Sequence, residues 1–516
     1  MAEEMFWADQ IARKVVAERG DKEKYVVAAG ITPSGTVHIG NFREMITVDL
    51  VARALASMGK KVRFIYSWDD YDRLRKVPAN VPKKEELEKF MGYPVVDAPD
   101  TFGCHANYAE HMEREVSDAL PTVGINPEFI FQSKMYRKCA YAEEIRTCML
   151  ARDKIRPILN KFRKGEDPLP ESWYPMHVFC EKCKKDDGHV TKYDGEYTIE
   201  YECACGNKGK LDFRKDGRVK LPWRVDWPMR WHFEKVDFEP GGKDHSAPGG
   251  SRDTAALIVS AVYGNKPPVY QMYDFVIPKT GGKMSKSLGN VIKLTDILKI
   301  YLPEMVRFFF AGTKPIKEFS IPMDEEIFKV YEDFYETERI FYGKETGRAA
   351  HWKRVYEMSC IGAPAKELPA QPSFRQCIEL INAYGNPKRA VASLGKLSAA
   401  DKKRHLAVLE CAKNWTETYA PETFRAVVND KVPDGLVLSE AQRKALHELG
   451  NQIELAHSEQ NLKAAFEELP KKFGLSTGDF FKAAYLVLIG KERGPRLIPF
   501  IESIGAEKVA KLLKSV

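Results

Sequence analysis

What most limits the folds open to this chain is a pattern near its start. An apolar run at 25–31 passes through Thr32-Pro33-Ser34-Gly35-Thr36-Val37 into an amphipathic run from His38 to Met58, and a second apolar run follows at 62–66. In the middle run Ile39, Phe42, Ile46, Leu50 and Ala54 recur at helical spacing, and Gly59 ends it. Strand, helix, strand is a βαβ unit, which implies a parallel sheet with its site at the C-terminal ends of the strands. His38 and the backbone N–H groups of the first helical turn then face a bound anion, where the positive end of the helix dipole favours phosphate.

A second signal lies far downstream. Lys283-Met284-Ser285-Lys286-Ser287 follows Gly281-Gly282 and offers two ammonium groups on a flexible lead. Such a loop can close over a polyphosphate. Either stretch alone is weak, but the ordered pair points to nucleotide chemistry. No six-residue glycine fingerprint of the dinucleotide-binding type and no P-loop occurs, so ATP is not bound in either of those ways.

These residues resemble the class I aminoacyl-tRNA synthetases. His38-Ile39-Gly40-Asn41 matches their signature tetrapeptide, with Asn41 in place of the second histidine, and Lys283 to Ser287 match their pentapeptide without change. Asn41, the Phe42-Arg43-Glu44 after it, Gly242-Lys243-Asp244-His245 and the lack of the long insertion of valine-type enzymes make the chain similar to the lysine-specific class I form. The resemblance covers nearly the whole chain, although the last third carries no sharp motif.

Alternation breaks down between about 78 and 215, a stretch rich in Pro, Cys, His and charge that reads as an insertion rather than sheet core. It resumes with a helix-like run at 252–263 and an apolar strand at 269–277 leading to the lysine-rich loop. After Leu302-Pro303 apolar-periodic segments follow one another at 306–310, 327–342, 374–383, 406–419, 441–455 and 480–489, as in an all-α module. With the resemblance, the expected architecture is α/β: a split Rossmann-like parallel-sheet catalytic domain with a zinc-binding insert, then an all-α anticodon-binding region. The expected boundaries are 1–90 and 216–302 for the catalytic halves, 91–215 for the insert with its acceptor-end contact, 303–350 for a helical stem-contact region and 351–516 for the anticodon-binding domain.

Two clusters suit metal. Cys180-x2-Cys183 followed by Cys203-x-Cys205 has four-thiolate zinc spacing, and four thiolates leave no open position, so the role is structural. Asp100, Cys104, His105 and His111 gather a carboxylate, a thiolate and two imidazoles within twelve residues. Metal in this insert is also what the resemblance implies, which makes two Zn2+ sites. Ten cysteines without a basic, apolar leader argue against a disulfide framework. No apolar run approaches the roughly 20 residues of a membrane span, so the expected setting is cytoplasmic with no membrane partner.

The expected chemistry is activation of an amino acid. Its carboxylate attacks the α-phosphate of ATP in line, so charge on that phosphate and on departing pyrophosphate must be stabilised. His38 and Asn41 suit the first task, Lys283 and Lys286 the second, with Mg2+ bridging the phosphates. Gly241-Gly242 before Asp244 permits close backbone approach to ribose or adenine. The ATP set is thus His38, Gly40, Asn41, Gly242, Asp244, Lys283, Met284, Ser285, Lys286 and Ser287.

Lysine asks for a carboxylate facing its ammonium and an aromatic wall for its methylenes. Glu44, six residues beyond His38 on the same helix, can look back toward Gly30 and Thr32. Trp223, His245 and Tyr273 join them by resemblance. Glutamate- and cysteine-type enzymes of the same class, and a non-catalytic tRNA-binding paralogue, are the rival readings; Glu44 would repel glutamate, cysteine would want an open zinc position, and both loop lysines with His38 favour catalysis.

Net charge is +7, and residues 351–516 hold 25 Lys/Arg against 19 Asp/Glu, which suits a polyanion there, tRNA(Lys) by resemblance. Trp415, Tyr419, Phe424, Arg404 and Arg425 are candidates to stack and pair with anticodon bases, though most of these aromatics are expected to be core.

Overall fold

A computed structural model describes residues 5–163, 167–277, 291–346, 349–455 and 459–516. The described residues form two compact units. The first takes the chain to 297 together with 303–321 and 346–364; the second takes 298–302, 322–345 and 365–516.

The first unit is built on α1 (Trp7–Arg19), β1 (Lys24–Ile31), α2 (Ile39–Ser57), β2 (Lys61–Trp68), α3 (Tyr108–Ser117), β3 (Glu128–Phe131), a ribbon of β4 (His177–Val178), β5 (Gly188–Tyr193), β6 (Thr198–Cys203), β7 (Lys208–Asp212) and β8 (Val219–Lys220), then α4 (Trp223–Glu234), β9 (Phe238–Gly242), α5 (Ser251–Tyr263) and β10 (Val269–Tyr273). Five strands make one parallel sheet in the order β10-β9-β1-β2-β3. From β1 the order runs one way through β2 and β3 and the other way through β9 and β10. The switch point between β1 and β9 is where such a sheet opens a crevice beyond its strand ends.

Helix α2 packs on this sheet and is buried over most of its circumference, which explains why its apolar positions are not confined to one stripe. Ile39, Phe42, Ile46, Leu50 and Ala54 are all buried, with the Phe42 ring edge-on to Phe310 at 5.4 Å. Two charges go down with them. Arg43 donates to the carbonyls of Asp274, Phe275, Lys314 and Lys317, and Asp49 pairs with Arg307 at 2.7 Å. Both are satisfied, as buried charge requires.

Two sequence expectations change here. The stretch 91–215 is not all insert, because β3 leaves it to pair with β2 from Ile65↔Glu128 to Trp68↔Phe131. Four residues framed by helices carry too little periodicity to be recognised as a strand. The strand expected at 269–277 divides: β10 ends at Tyr273, and Val276–Ile277 pair instead with Phe319–Ser320 in a separate two-stranded sheet. Arg43 holds the carbonyls at the break, and Asp274 N–H donates to Pro315.

The ribbon is an antiparallel sheet in the order β7-β6-β5-β4-β8. Its inner face, with Val178, Ile199, Tyr201 and Leu211, packs on Tyr71, Tyr136 and Ile145. The second unit is helical: Ile327–Phe341, Phe374–Tyr384, Ala399–Thr418, Glu440–Leu455, Glu459–Lys472, Thr477–Ile489 and Ala506–Lys514 are its longer helices, and it has no strand among the described residues. No helix is long and apolar enough to cross a membrane among the described residues.

Candidate active site

His38 sits in extended backbone immediately before α2 and caps it. Its Nδ1 accepts the Gly40 N–H at 3.1 Å, and the Asn41 side-chain oxygen accepts the His38 N–H at 3.2 Å. Asn41 thus has a local reason for its identity, as the returning half of a capping box. Because Nδ1 accepts, the neutral ring carries its proton on Nε2. The first-turn N–H groups expected to face an anion have partners within the protein: Ile39 N–H donates to the Ile292 carbonyl at 2.8 Å, Gly40 N–H to His38 Nδ1, and Asn41 and Phe42 N–H to the His38 carbonyl, so this point presents the His38 Nε2 edge and the positive end of the α2 dipole. Gly40 belongs to this turn; Lys283, Met284, Ser285, Lys286 and Ser287 lie outside the described residues.

One turn further along α2, Glu44 reaches back to the sheet. Its Oε1 accepts the Gly30 N–H at 3.1 Å and its Oε2 accepts the Tyr273 hydroxyl at 2.6 Å. Gly30 is required by packing, since a Cβ there would stand 2.9 Å from the Ser67 carbonyl oxygen. Burial pushes the Glu44 carboxyl up to about 8 against the pull of its two hydrogen bonds, with Glu239 and Asp69 pushing the same way.

A tryptophan stack walls the neighbouring side. Trp223 and Trp227 lie parallel at 4.8 Å, and the His245 ring is 5.9 Å from the first and 6.0 Å from the second. The indoles of Trp227 and Trp231 both donate to buried Glu239 on β9. Desolvation lowers the His245 pKa, favouring the neutral ring. Gly242 ends β9, where a Cβ would meet the Tyr273 hydroxyl at 3.4 Å, and exposed Asp244 follows in a short turn. Glu44, Gly30, Tyr273, Trp223, His245, Gly242 and Asp244 therefore gather at the ends of β1, β9 and β10.

The sequence reading missed the charge network beneath. Thr32 donates to Asp72 at 3.0 Å; Asp72 faces buried Lys220 at 3.4 Å; Lys220 reaches Asp226 at 2.8 Å; and Arg230 joins Asp226 to Asp69, the latter at 2.6 Å. Trp223, Trp227 and Trp231 do leave a trace, because the indoles recur at i, i+4 and i+8 on one helix face.

Two groups are arranged as metal ligands. The Cys180 and Cys205 sulfurs are 3.7 Å apart and those of Cys183 and Cys203 3.6 Å. Tetrahedral zinc with bonds of about 2.3 Å sets sulfurs about 3.8 Å apart, so the thiols fit. At the second group Cys104 Sγ lies 3.1 Å from His105 Nδ1 and 3.2 Å from His111 Nδ1, with Asp100 Oδ1 3.8 Å from the latter. The donor atoms of each group lie within 4.8 Å of one another.

In the second unit the candidates separate. Trp415 is fully buried with its indole donating to Met323, and Arg404 is paired with Glu338 at 3.0 Å, so both are structural. Tyr419 ends the helix that carries Trp415, its N–H donating to the Trp415 carbonyl. Phe424 and Arg425 instead line a cavity of about 620 Å³ with Arg375, Lys491, Arg493 and Arg496. The Arg425 Nε is buried there without a hydrogen-bond partner. Lys491, Arg493 and Arg496 lie within six residues of one another, while Arg375 comes from a separate helix that no local spacing brings beside them.

Comparison with known proteins agrees with this geometry. The family described as tRNA synthetases class I (K) matches residues 5–362, and the anticodon binding domain family matches 406–516. The chain is 45% identical to the lysine–tRNA ligase of Borreliella burgdorferi over 98% of both chains. It is 40% identical to that of Treponema pallidum over 99% of this chain and 98% of the relative. Against the lysine–tRNA ligase of Pyrococcus horikoshii it is 41% identical over 98% and 99%.

Proposed function

The chain belongs to the class I tRNA synthetases of the lysine type and joins lysine to tRNA at the expense of ATP; from that premise we propose how its residues divide the work. The observation that carries the proposal is Glu44, held between Gly30 and Tyr273 at the switch point of the sheet. Its ionised carboxylate receives the ε-ammonium of lysine, and Trp223 and His245 flank the methylenes. Thr32 completes the pocket on the Asp72 side.

The same geometry disfavours glutamate. Glu44, Glu239 and Asp69 share the neighbourhood, while Arg43 is spent on backbone carbonyls and Arg230 on Asp69 and Asp226. Neither guanidinium is left to face a side-chain carboxylate.

With lysine anchored, its α-carboxylate oxygen forms a bond to the α-phosphorus of ATP, and the bond from that phosphorus to the bridging oxygen of pyrophosphate breaks. His38, through its Nε2 edge, and the positive end of the α2 dipole stabilise the charge at the α-phosphate, with Asn41 fixing the cap. Gly242 and Asp244 hold the nucleoside side, and Lys283 and Lys286, with Met284, Ser285 and Ser287, take the pyrophosphate. Mg2+ accompanies ATP as counter-charge. The terminal ribose hydroxyl of tRNA then attacks the lysyl carbonyl and AMP departs.

Cys180, Cys183, Cys203 and Cys205 hold one structural zinc, and Asp100, Cys104, His105 and His111 a second. The basic cavity at Arg375, Phe424, Arg425, Arg493 and Arg496 takes an unstacked anticodon nucleotide, the base on the aromatic and phosphate on the cations. Amino-acid-dependent ATP–pyrophosphate exchange with each of the twenty amino acids tests the central assignment: lysine alone supports exchange, and equal support by glutamate overturns it.

A further inference from the structure

Helix α3 carries Tyr108, His111 and Glu115 at i, i+3 and i+7, along one stripe. Each end of that stripe touches a different part of the nucleotide-facing region. Tyr108 is fully buried, and its hydroxyl donates to the Ser34 carbonyl at 3.2 Å, in the turn between β1 and α2. Glu115 pairs with Lys293. Next to Lys293, the Ile292 carbonyl accepts the N–H of Ile39, the first residue of α2, at 2.8 Å.

Between these contacts stands His111, a member of the Asp100 cluster. The loop before the helix is wound about it: Asp100 accepts the N–H groups of Phe102, Cys104 and His105, and the Phe102 ring stacks on His111 at 3.8 Å. Asn107 caps the helix through the Glu110 N–H. The helix therefore has a fixed end and two working contacts.

We propose that α3 is a strut for ATP. Tyr108 and Glu115 are positioning residues that hold the Ser34 turn and the 291–293 segment in register with the start of α2, and the Asp100 cluster fixes the helix between them. The proposal rests on the reading of the α2 start as the phosphate site. Ordered helix moves as a unit, so a displaced α3 shifts both segments together, and small misplacement of phosphate-facing groups is costly to rate. Lysine is spared, because Glu44 takes its position from Gly30 and Tyr273.

The test uses the full chain with Tyr108→Phe, Glu115→Gln, Lys293→Met, the Glu115/Lys293 double variant and His111→Ala. Lysine-dependent ATP–pyrophosphate exchange gives KM and kcat, calorimetry gives lysine affinity, and atomic spectrometry gives metal content. In each single variant of a strut contact the KM for ATP rises about two- to tenfold, as for loss of one hydrogen bond or half-exposed ion pair, while lysine affinity and metal content hold. The double variant is no worse than its worse single, since one interaction is lost once. His111→Ala loses one metal and raises the ATP KM at least as far. Unchanged ATP KM, additive losses in the double variant, lysine affinity falling in parallel, or full metal retention in His111→Ala overturns the strut. Wild-type exchange that does not depend on lysine strikes the functional reading itself, whereas a lysine-dependent wild type with unaffected variants strikes only the strut.

Discussion

The hydroxyl of Tyr273 meets the carboxylate of Glu44 at 2.6 Å across 229 residues of sequence. One partner belongs to α2, between β1 and β2 in the sheet's early half, and the other to β10, the last strand of its late half. The pair thus exists only when both halves of the split sheet have assembled. The Tyr273 hydroxyl and the Gly30 N–H both favour the charged carboxylate, while desolvation opposes it and wins, leaving the group near 8.

That balance makes lysine binding pH-dependent. Below about 8 the free site holds a proton on Glu44, and the incoming ammonium expels it. Lysine affinity should fall about tenfold for each pH unit below that point, with one proton released per lysine. Calorimetry at pH 6.5 in buffers of different ionisation enthalpy reads this directly; zero proton release removes the coupling. Stability carries the opposite slope. The folded chain holds this proton between the ordinary 4.5 and about 8 while the unfolded chain does not, so this contribution to stability is lost as pH rises through that window. Glu44→Gln should flatten that part of the melting-temperature profile.

Selectivity follows from the same residue. Glu44→Gln keeps the shape and an acceptor for Tyr273 but removes the charge that holds the ammonium, a charge-assisted interaction of about 1.5–3 kcal/mol. The expected result is a ten- to hundredfold fall in kcat/KM for lysine with the ATP KM little changed. An unaltered lysine constant in a folded variant makes Glu44 a structural residue.

The local parts of this site are legible in the sequence, and the long-range parts are not. His38, Asn41 and Glu44 lie on one helix whose 3.6-residue period places them relative to β1, so strand, turn and helix read directly. β3 is four residues long, and its membership of the sheet depends on β2 beside it. The Thr32, Asp72, Lys220, Asp226, Arg230 and Asp69 chain joins segments up to roughly two hundred residues apart, and buried charge has no periodicity to betray it. Trp415 looked like a candidate base platform because stacking and core aromatics share one spacing; only its complete burial separates them.

The thiol cluster should be a folding element and not a reactive one. Changing Cys180 and Cys183 together to Ser leaves two thiols, too few for a closed four-thiolate site, and should release one metal ion and loosen β5 to β7. Hydrogen exchange then rises in 188–212 while lysine binding at Glu44 is retained. Full metal retention by the double variant rules out this site.

The basic cavity gives the clearest separation of tRNA recognition from activation. Its lining includes Arg425, whose buried Nε has no hydrogen-bond partner within the protein. Arg425→Ala should weaken tRNA binding, raising the KM for tRNA about tenfold, in line with an interaction of about 1–3 kcal/mol at a nucleotide. Pyrophosphate exchange without tRNA should stay at the wild-type rate, because that step uses the groups around Glu44 and His38 in the first unit. Aminoacylation measured against tRNA concentration distinguishes the outcomes: a raised KM with unchanged exchange places a nucleotide in the cavity, and an unchanged KM in a folded variant means that the anticodon is read elsewhere.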